Sequence, residues 1–299
     1  MFIGYNDYRK LTTSVDSKDY KSFYKEISNK IEFGGAFTNY DYLVKYRFMN
    51  IFQPVFNAIL RRHPSNILDI GCGNGVHLPI SRMFPLIEYH GLDYAEKAIE
   101  NARKEFPHVV FHVEDAFNTS FDDKSFDMII LSSVLILYKE EDERLKLLRE
   151  VERILKNDGV FILIVWKENV FLKKAIQLSR LLGRLLKYEP LNDFMAVYFS
   201  ERDIKRMANK ISFKIREAIH PSALYGVLES VRYLNLSKYN RVYGKSESEA
   251  LVVHSQNILE DLKQQAGRLK WLTVSCYYLS RAAPCLFSHH SIYIMEKQK

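Results

Sequence analysis

Between Asn66 and Trp166 the chain alternates short apolar runs with stretches of helical periodicity. Asn66 to Ile70 is a short buried strand, followed by a glycine turn at Gly71, Gly73 and Gly75 and then a helix interrupted by Pro79 and Pro85. Ile87 to Asp93 is a second strand, Ala95 to Phe106 an amphipathic helix and Val109 to Val113 a third strand. Asp127 to Leu135 carries no charge after its first residue, as in a strand covered on both faces. Glu140 to Leu155 places Leu145, Leu148, Val151, Ile154 and Leu155 on one side of a helix. Asn157-Asp158-Gly159 supplies a stop for that helix, and Val160 to Trp166 is a wholly apolar strand. Strands alternating with helices predict βαβ units, a parallel sheet and an α/β fold.

The flanks read differently. Residues 1–60 are predicted helical, with Phe23, Tyr24 and Ile27 on one face of Ser14–Lys30. Tyr40 to Leu60 is a buried helix kinked near Pro54. Past Trp166, Val170 to Lys187 is an amphipathic helix without an acidic residue, setting Lys173, Arg180, Arg184 and Lys187 opposite Phe171, Leu178, Leu182 and Leu185. Ser200 to Asn209 is a helix with Ser200 as N-cap and Asp203 at N3, and Ile211 to His220 a strand. Residues 221–286 lean helical, and Ser291 to Met295 is a last short strand.

The 299 residues are 47% apolar and 26% charged, which excludes wholesale disorder, and 12 Gly with 8 Pro exclude a fibrous class. Cys72, Cys276 and Cys285 show no CxxC spacing and cannot close a disulfide framework, so neither a metal site nor a secreted scaffold is expected. Met1–Lys10 lacks an apolar h-region, and no run of 18 apolar residues occurs, so the expectation is a cytoplasmic protein without a transmembrane segment. Charge is uneven. Residues 1–166 carry 21 Lys and Arg against 24 Asp and Glu, whereas 167–299 carry 22 against 12. The basic back half suits an anionic partner or a solvated face.

Chemistry concentrates at Ile67-Leu68-Asp69-Ile70-Gly71-Cys72-Gly73-Asn74-Gly75. A strand running into Gly-x-Gly-x-Gly turns sharply and leaves no Cβ in the way of a ligand lying across the strand ends. The spacing is not the GxGxxG of dinucleotide binders, and Asp69 before the first glycine suits a ligand with a positive end rather than a pyrophosphate. Asp93 ends the second strand, where a carboxylate can accept both hydroxyls of a ribose, and Asp115 follows the third.

In these features the chain resembles the class I S-adenosylmethionine-dependent methyltransferases, over about residues 61–166 and more weakly to about 220. The resemblance also rests on Gly91-Leu92-Asp93-Tyr94, on Val113-Glu114-Asp115-Ala116, on Phe126 to Leu135 and on Leu148 to Gly159. It implies a Rossmann-like sheet, mostly parallel with an antiparallel last strand. The expected layout is a helical N-terminal cap (1–60), a cofactor-binding core (61–220 and 287–299) and a helical insertion at 221–286 serving as acceptor lid. S-adenosyl-L-methionine is the implied cofactor. Its implied contacts are Asp69, Gly71, Cys72, Gly73 and Gly75, Asp93 with Tyr94 at the ribose, Asp115 with Ala116 at the adenine, and Ser132 near the methionine portion. Where many relatives acting on small molecules have a polar or His-containing stretch, this chain has Ile136-Leu137-Tyr138.

Methyl transfer from a sulfonium is an in-line displacement, so alignment matters more than acid–base help, although a hydroxyl acceptor usually needs a base. Candidate bases are Tyr138, Glu168 and His220; Tyr46 and Arg47 are candidates for the cofactor carboxylate. Three readings stay open. One is an enzyme on a small molecule, saccharide or lipid-linked, with peripheral membrane contact through 170–187. The second is an RNA methyltransferase, against which no recognisable RNA-binding module is present. The third is a non-catalytic, methyltransferase-like interaction protein, against which stand the intact turn, Asp93 and Asp115. The oligomeric state is not legible.

Overall fold

The computed structural model describes residues 53–73, 77–167, 197–220 and 290–298. The chain divides into two compact units, one of residues 24–166, 196–219 and 290–299, the other of 1–23, 167–195 and 220–289. The expected helices at 14–30 and 170–187, residues 40–52 of the helix expected at 40–60, the insertion at 221–286, and Tyr46, Arg47, Gly75 and Glu168 lie outside the described residues.

In the first unit α1 (Gln53–Arg62) leads to β1 (Asn66–Ile70). Then come α2 (Pro79–Met83), β2 (Glu88–Asp93), α3 (Glu96–Glu105) and β3 (Val110–Val113). β4 (Phe126–Ser132), a 3₁₀ turn at Leu135–Leu137, α4 (Glu141–Ile154) and β5 (Leu155–Trp166) follow. α5 (Glu201–Lys210), β6 (Phe213–Ile219) and β7 (His290–Lys297) complete it.

Seven strands form one sheet in the order β3-β2-β1-β4-β5-β7-β6. β1 to β5 pair in parallel, and β7 pairs antiparallel with both β5 and β6, as expected of the last strand. Alternation along the strands feeds two cores. Leu68, Ile70, Ile129, Leu131, Phe161 and Leu163 face one side with Leu148 and Val151 of α4 and Ile204 and Met207 of α5. Ile67, Met128, Ile130 and Ile162 face the other with Val55 and Ile59 of α1 and Ile99 and Ala102 of α3. Each of these Val, Leu, Ile, Phe and Met side chains contributes about 1.5–3 kcal/mol on full burial. Cover on both faces is why Met128–Leu131 of β4 and Val160–Trp166 of β5 are unbroken apolar runs.

Polar groups fix the element ends. Asp127 Oδ2 accepts from the Ser65 and Asn66 amides at 2.8 and 3.2 Å, and its Oδ1 takes Lys156 Nζ at 2.7 Å, which ties the start of β1 to β4. Ser200 caps α5 as expected, and it forms with Asp203 a capping box in which each side chain meets the other's backbone N–H.

Three boundaries depart from expectation. β4 stops at Ser132, not Leu135: Ser133 takes a φ of +59° and its N–H donates to Ile164 O at 2.9 Å. The apolar residues after it are buried by loop packing. Asn157-Asp158-Gly159 does not stop α4, because the chain enters β5 directly at Leu155; those residues form an irregularity between the pairs Phe126↔Leu155 and Met128↔Val160. The helix after the glycine turn is only five residues, with Pro79 in its first turn and its end before Pro85.

Candidate functional site

β1 neighbours β2 on one side and β4 on the other, so the strand order reverses at the β1/β4 boundary, where open α/β sheets bind ligands beyond the carboxyl ends of their strands. The glycine turn leaves β1 at that point. Gly71 and Gly73 have φ of +71° and +53°, the left-handed region that glycine enters without cost from a Cβ. Gly71 N and Cys72 N both donate to Leu92 O, at 2.7 and 3.1 Å. This pair of hydrogen bonds folds the turn onto β2 and brings Gly73 N to Asp93 Oδ2 at 2.9 Å. Asp93 Oδ1 accepts from Ala95 N, also at 2.9 Å.

The three carboxylates marked by the sequence end up in three different states. Asp93 is buried, and burial raises its pKa against the opposing pull of the Ala95, Gly73 and Tyr94 backbone N–H groups. Three backbone donors leave at least one of its four lone-pair positions for a further donor. Asp69 is 1% exposed, and neither oxygen has a hydrogen-bond partner among the described residues. Burial, and then the charge of Asp93, pushes its carboxyl well above the usual range. Asp115 is exposed; its Oδ1 accepts from Phe117 N at 3.1 Å, forming an Asx turn that presents Ala116 and Phe117.

Cys72 is a buried free thiol whose pKa is pushed up by burial and then by Asp69 and Asp93, so it is a protonated packing group rather than a nucleophile. Its Sγ lies 3.0 Å from where a Cβ on Gly91 would sit. Ser132 and Tyr94 are half-buried at the ends of β4 and β2.

Tyr138 stands beside this edge, its ring edge-on to Phe117 at 4.9 Å. Burial, then Asp115, Glu143 and Asp93, raise its pKa, so at neutral pH the phenol is a hydrogen-bond donor and not a base. His220 belongs to the second unit, where its Nδ1 lies 3.3 Å from Lys167 Nζ.

Sequence reasoning missed three contributors. Val134 packs over the turn so closely that a Cβ on Gly71 would lie 2.2 Å from its Cγ2. Arg144 of α4, itself buried, donates through one guanidinium nitrogen to the carbonyls of Tyr138 and Lys139 at 2.7 Å, setting the loop that carries the phenol. Tyr89, in β2, buries its hydroxyl without a hydrogen-bond partner in the field of Asp69 and Cys72. Only Tyr89 had a signal, a polar atom in a buried strand.

Residues 67–159 match the family model described as a methyltransferase domain. This domain belongs to the class I S-adenosylmethionine-dependent methyltransferases. The chain is similar to demethylmenaquinone methyltransferase from Thermotoga maritima, 35% identical over 111 residues covering 37% of this chain and 47% of that protein. It is also similar to tRNA (carboxymethyluridine(34)-5-O)-methyltransferase from Arabidopsis thaliana, 31% identical over 38% of this chain and 27% of that protein. A crystallised S-adenosylmethionine-dependent methyltransferase from Methanosarcina mazei aligns at 24% identity and a TM-score of 0.46 over 56% of this chain and 88% of its own. The chain thus spans about half the length of the first curated relative and about a quarter of the second.

The site fits the family's cofactor, S-adenosylmethionine. A buried carboxyl without a partner sits below a turn whose first glycine has no room for a side chain, and a second carboxyl at the end of β2 retains free lone pairs.

Proposed function

We propose that this chain transfers a methyl group from S-adenosylmethionine to a small-molecule acceptor, of neutral or cationic rather than polyanionic character. The donor, when bound, supplies a sulfonium methyl carbon that already carries its leaving group. What the protein adds is alignment and exclusion of water. Gly71 and Gly73 let backbone approach the donor, Asp93 accepts from its ribose hydroxyls, and Ala116 with Phe117 offers an apolar wall to its adenine. Asp69 matches its positive end. Tyr138 donates a hydrogen bond and holds its proton, so it orients an acceptor rather than activating one.

The observation that carries the choice of acceptor is the surround of Tyr138. Asp115, Glu143 and Asp93 act on the phenol from three different elements, and the strongest effects on it are burial and negative charge. The adjoining loop contributes the apolar side chains of Val134, Leu135, Ile136 and Leu137. A phosphodiester backbone is repelled by such a rim, whereas an uncharged or cationic molecule with apolar surface is not. The similarity to a demethylmenaquinone methyltransferase supports an acceptor of this kind.

The basic residues of 167–299 and the tRNA-methylating relative favour the competing RNA reading, and the same experiment decides between the two. Purified protein is incubated with methyl-labelled S-adenosylmethionine and a cell extract, which is then separated into small-molecule, lipid and RNA fractions. Label in the small-molecule or lipid fraction, lost in Asp93→Ala, is expected. Ribonuclease-sensitive label overturns the choice of acceptor. Absence of donor binding in calorimetry, with Asp93→Ala indistinguishable from wild type, overturns the enzyme assignment.

A further inference from the structure

Asp69 is the next-to-last residue of β1, 1% exposed, and among the described residues no donor reaches either of its oxygens. The titratable groups that act on it or feel it, among the described residues, are Asp93 at the end of β2, the Cys72 thiol in the turn and the Tyr89 phenol lower in β2. None brings a positive charge. His77, where the described chain resumes after the turn, is buried as well and makes contacts of its own. Asp93 is satisfied by the backbone amides of Gly73, Ala95 and Tyr94, so of the two carboxyls it is the one better able to stay ionised in the free protein. A second buried negative charge beside it, with no hydrogen bond, is the costlier state.

We propose that Asp69 meets the cationic end of the methyl donor as a carboxyl group that gives up its proton on binding, so that donor capture and proton release are a single linked event. The inference rests on the donor-binding reading above and deepens it. The carboxyl O–H bond breaks, the proton passes to solvent buffer, and the negative charge left on Asp69 is balanced by the incoming cation. The raised pKa of Asp69 in the free protein agrees with this order of events. Binding selects the ionised form. The sign follows: below the free-state pKa every donor molecule bound must expel a proton, and affinity falls as the pH is lowered.

The test is calorimetry of S-adenosylmethionine binding to the full chain, in buffers of different ionisation enthalpy, from about pH 5 to about pH 9. The expected result is release of about one proton per donor bound at the acid end, with affinity falling about tenfold per pH unit below the midpoint. Asp69→Asn, checked for native circular dichroism, is expected to abolish the proton release and flatten the pH dependence. Binding heats that do not change with buffer in the wild-type protein overturn the inference while leaving the methyltransferase reading intact. A proton release that persists in Asp69→Asn also overturns it, and assigns the proton to another group such as His77. Absence of donor binding at every pH overturns both readings.

Discussion

Gly71 turns the chain out of β1 at φ +71°, and a Cβ there would lie 2.2 Å from Val134 Cγ2 but 3.5 Å from Val134 Cβ. Replacing it with alanine therefore imposes two separable costs. The left-handed backbone costs an L-residue about 1–2 kcal/mol. The clash cannot be relieved by a swinging terminal atom, because Val134 is β-branched and its loop is tethered through Ser133 N to Ile164 O at 2.9 Å and Val197 N to Ile136 O at 2.6 Å. Forcing that loop outward costs about 1–3 kcal/mol, typical of overpacking. Gly71→Ala is thus expected to destabilise by about 3 kcal/mol, read as a shift in the urea midpoint at constant slope. Val134→Ala alone removes two half-buried methyls at about 1 kcal/mol. In the double variant the nearest atom becomes the alanine Cβ, at ordinary contact distance, so only the backbone cost should remain. The cycle then shows a favourable coupling of about 1–3 kcal/mol. Additive effects, or a Gly71→Ala protein as stable as wild type, would refute the claim that Val134 roofs the turn.

Other expectations concern the parts that hold the site in place. Arg153 ends α4 on Glu150 at 2.6 Å and also reaches Asp123 and the Phe121 and Thr119 carbonyls, so Arg153→Ala should cost about 2 kcal/mol in chemical denaturation; its partial exposure keeps the figure below that of a fully buried pair. Burial alone would raise the Glu150 pKa, but Arg153 and Thr119 outweigh it and hold the carboxyl below the ordinary range. The stability it contributes is therefore complete above the unfolded-state value of about 4.3 and is lost as the pH falls through the lower folded value; Glu150→Gln should show a shallower acid limb in the pH dependence of unfolding. Ser200→Ala removes the hydroxyl that accepts from Asp203 N and should lower the midpoint by the equivalent of about 1 kcal/mol, with Ser200→Thr largely restoring it.

How far such details can be read from residues alone depends on what a side chain reports. An apolar run reports burial, and where both faces of a sheet are covered, burial and strand conformation coincide; β1, β2 and the end of β5 were legible for that reason. At β4 they separate. Leu135 and Ile136 are as buried as the strand before them, yet the backbone has already left the sheet at Ser133, so the pattern overran the true end by three residues. The carboxylates follow a similar logic one level up. Asp69, Asp93 and Asp115 were recognisable as strand-end acids, because a charge at the carboxyl edge of a parallel sheet is visible as a break in an apolar run. What Asp69 and Asp93 do was not visible, because it is decided by a carbonyl in another strand. Leu92 O draws in the amides of Gly71 and Cys72, which aims Gly73 N at Asp93 and leaves Asp69 beneath the turn with no donor. A residue type and its spacing therefore mark where acids gather at the sheet edge, while the backbone bonds of their neighbours decide which acid is satisfied and which is left without a donor among the described residues.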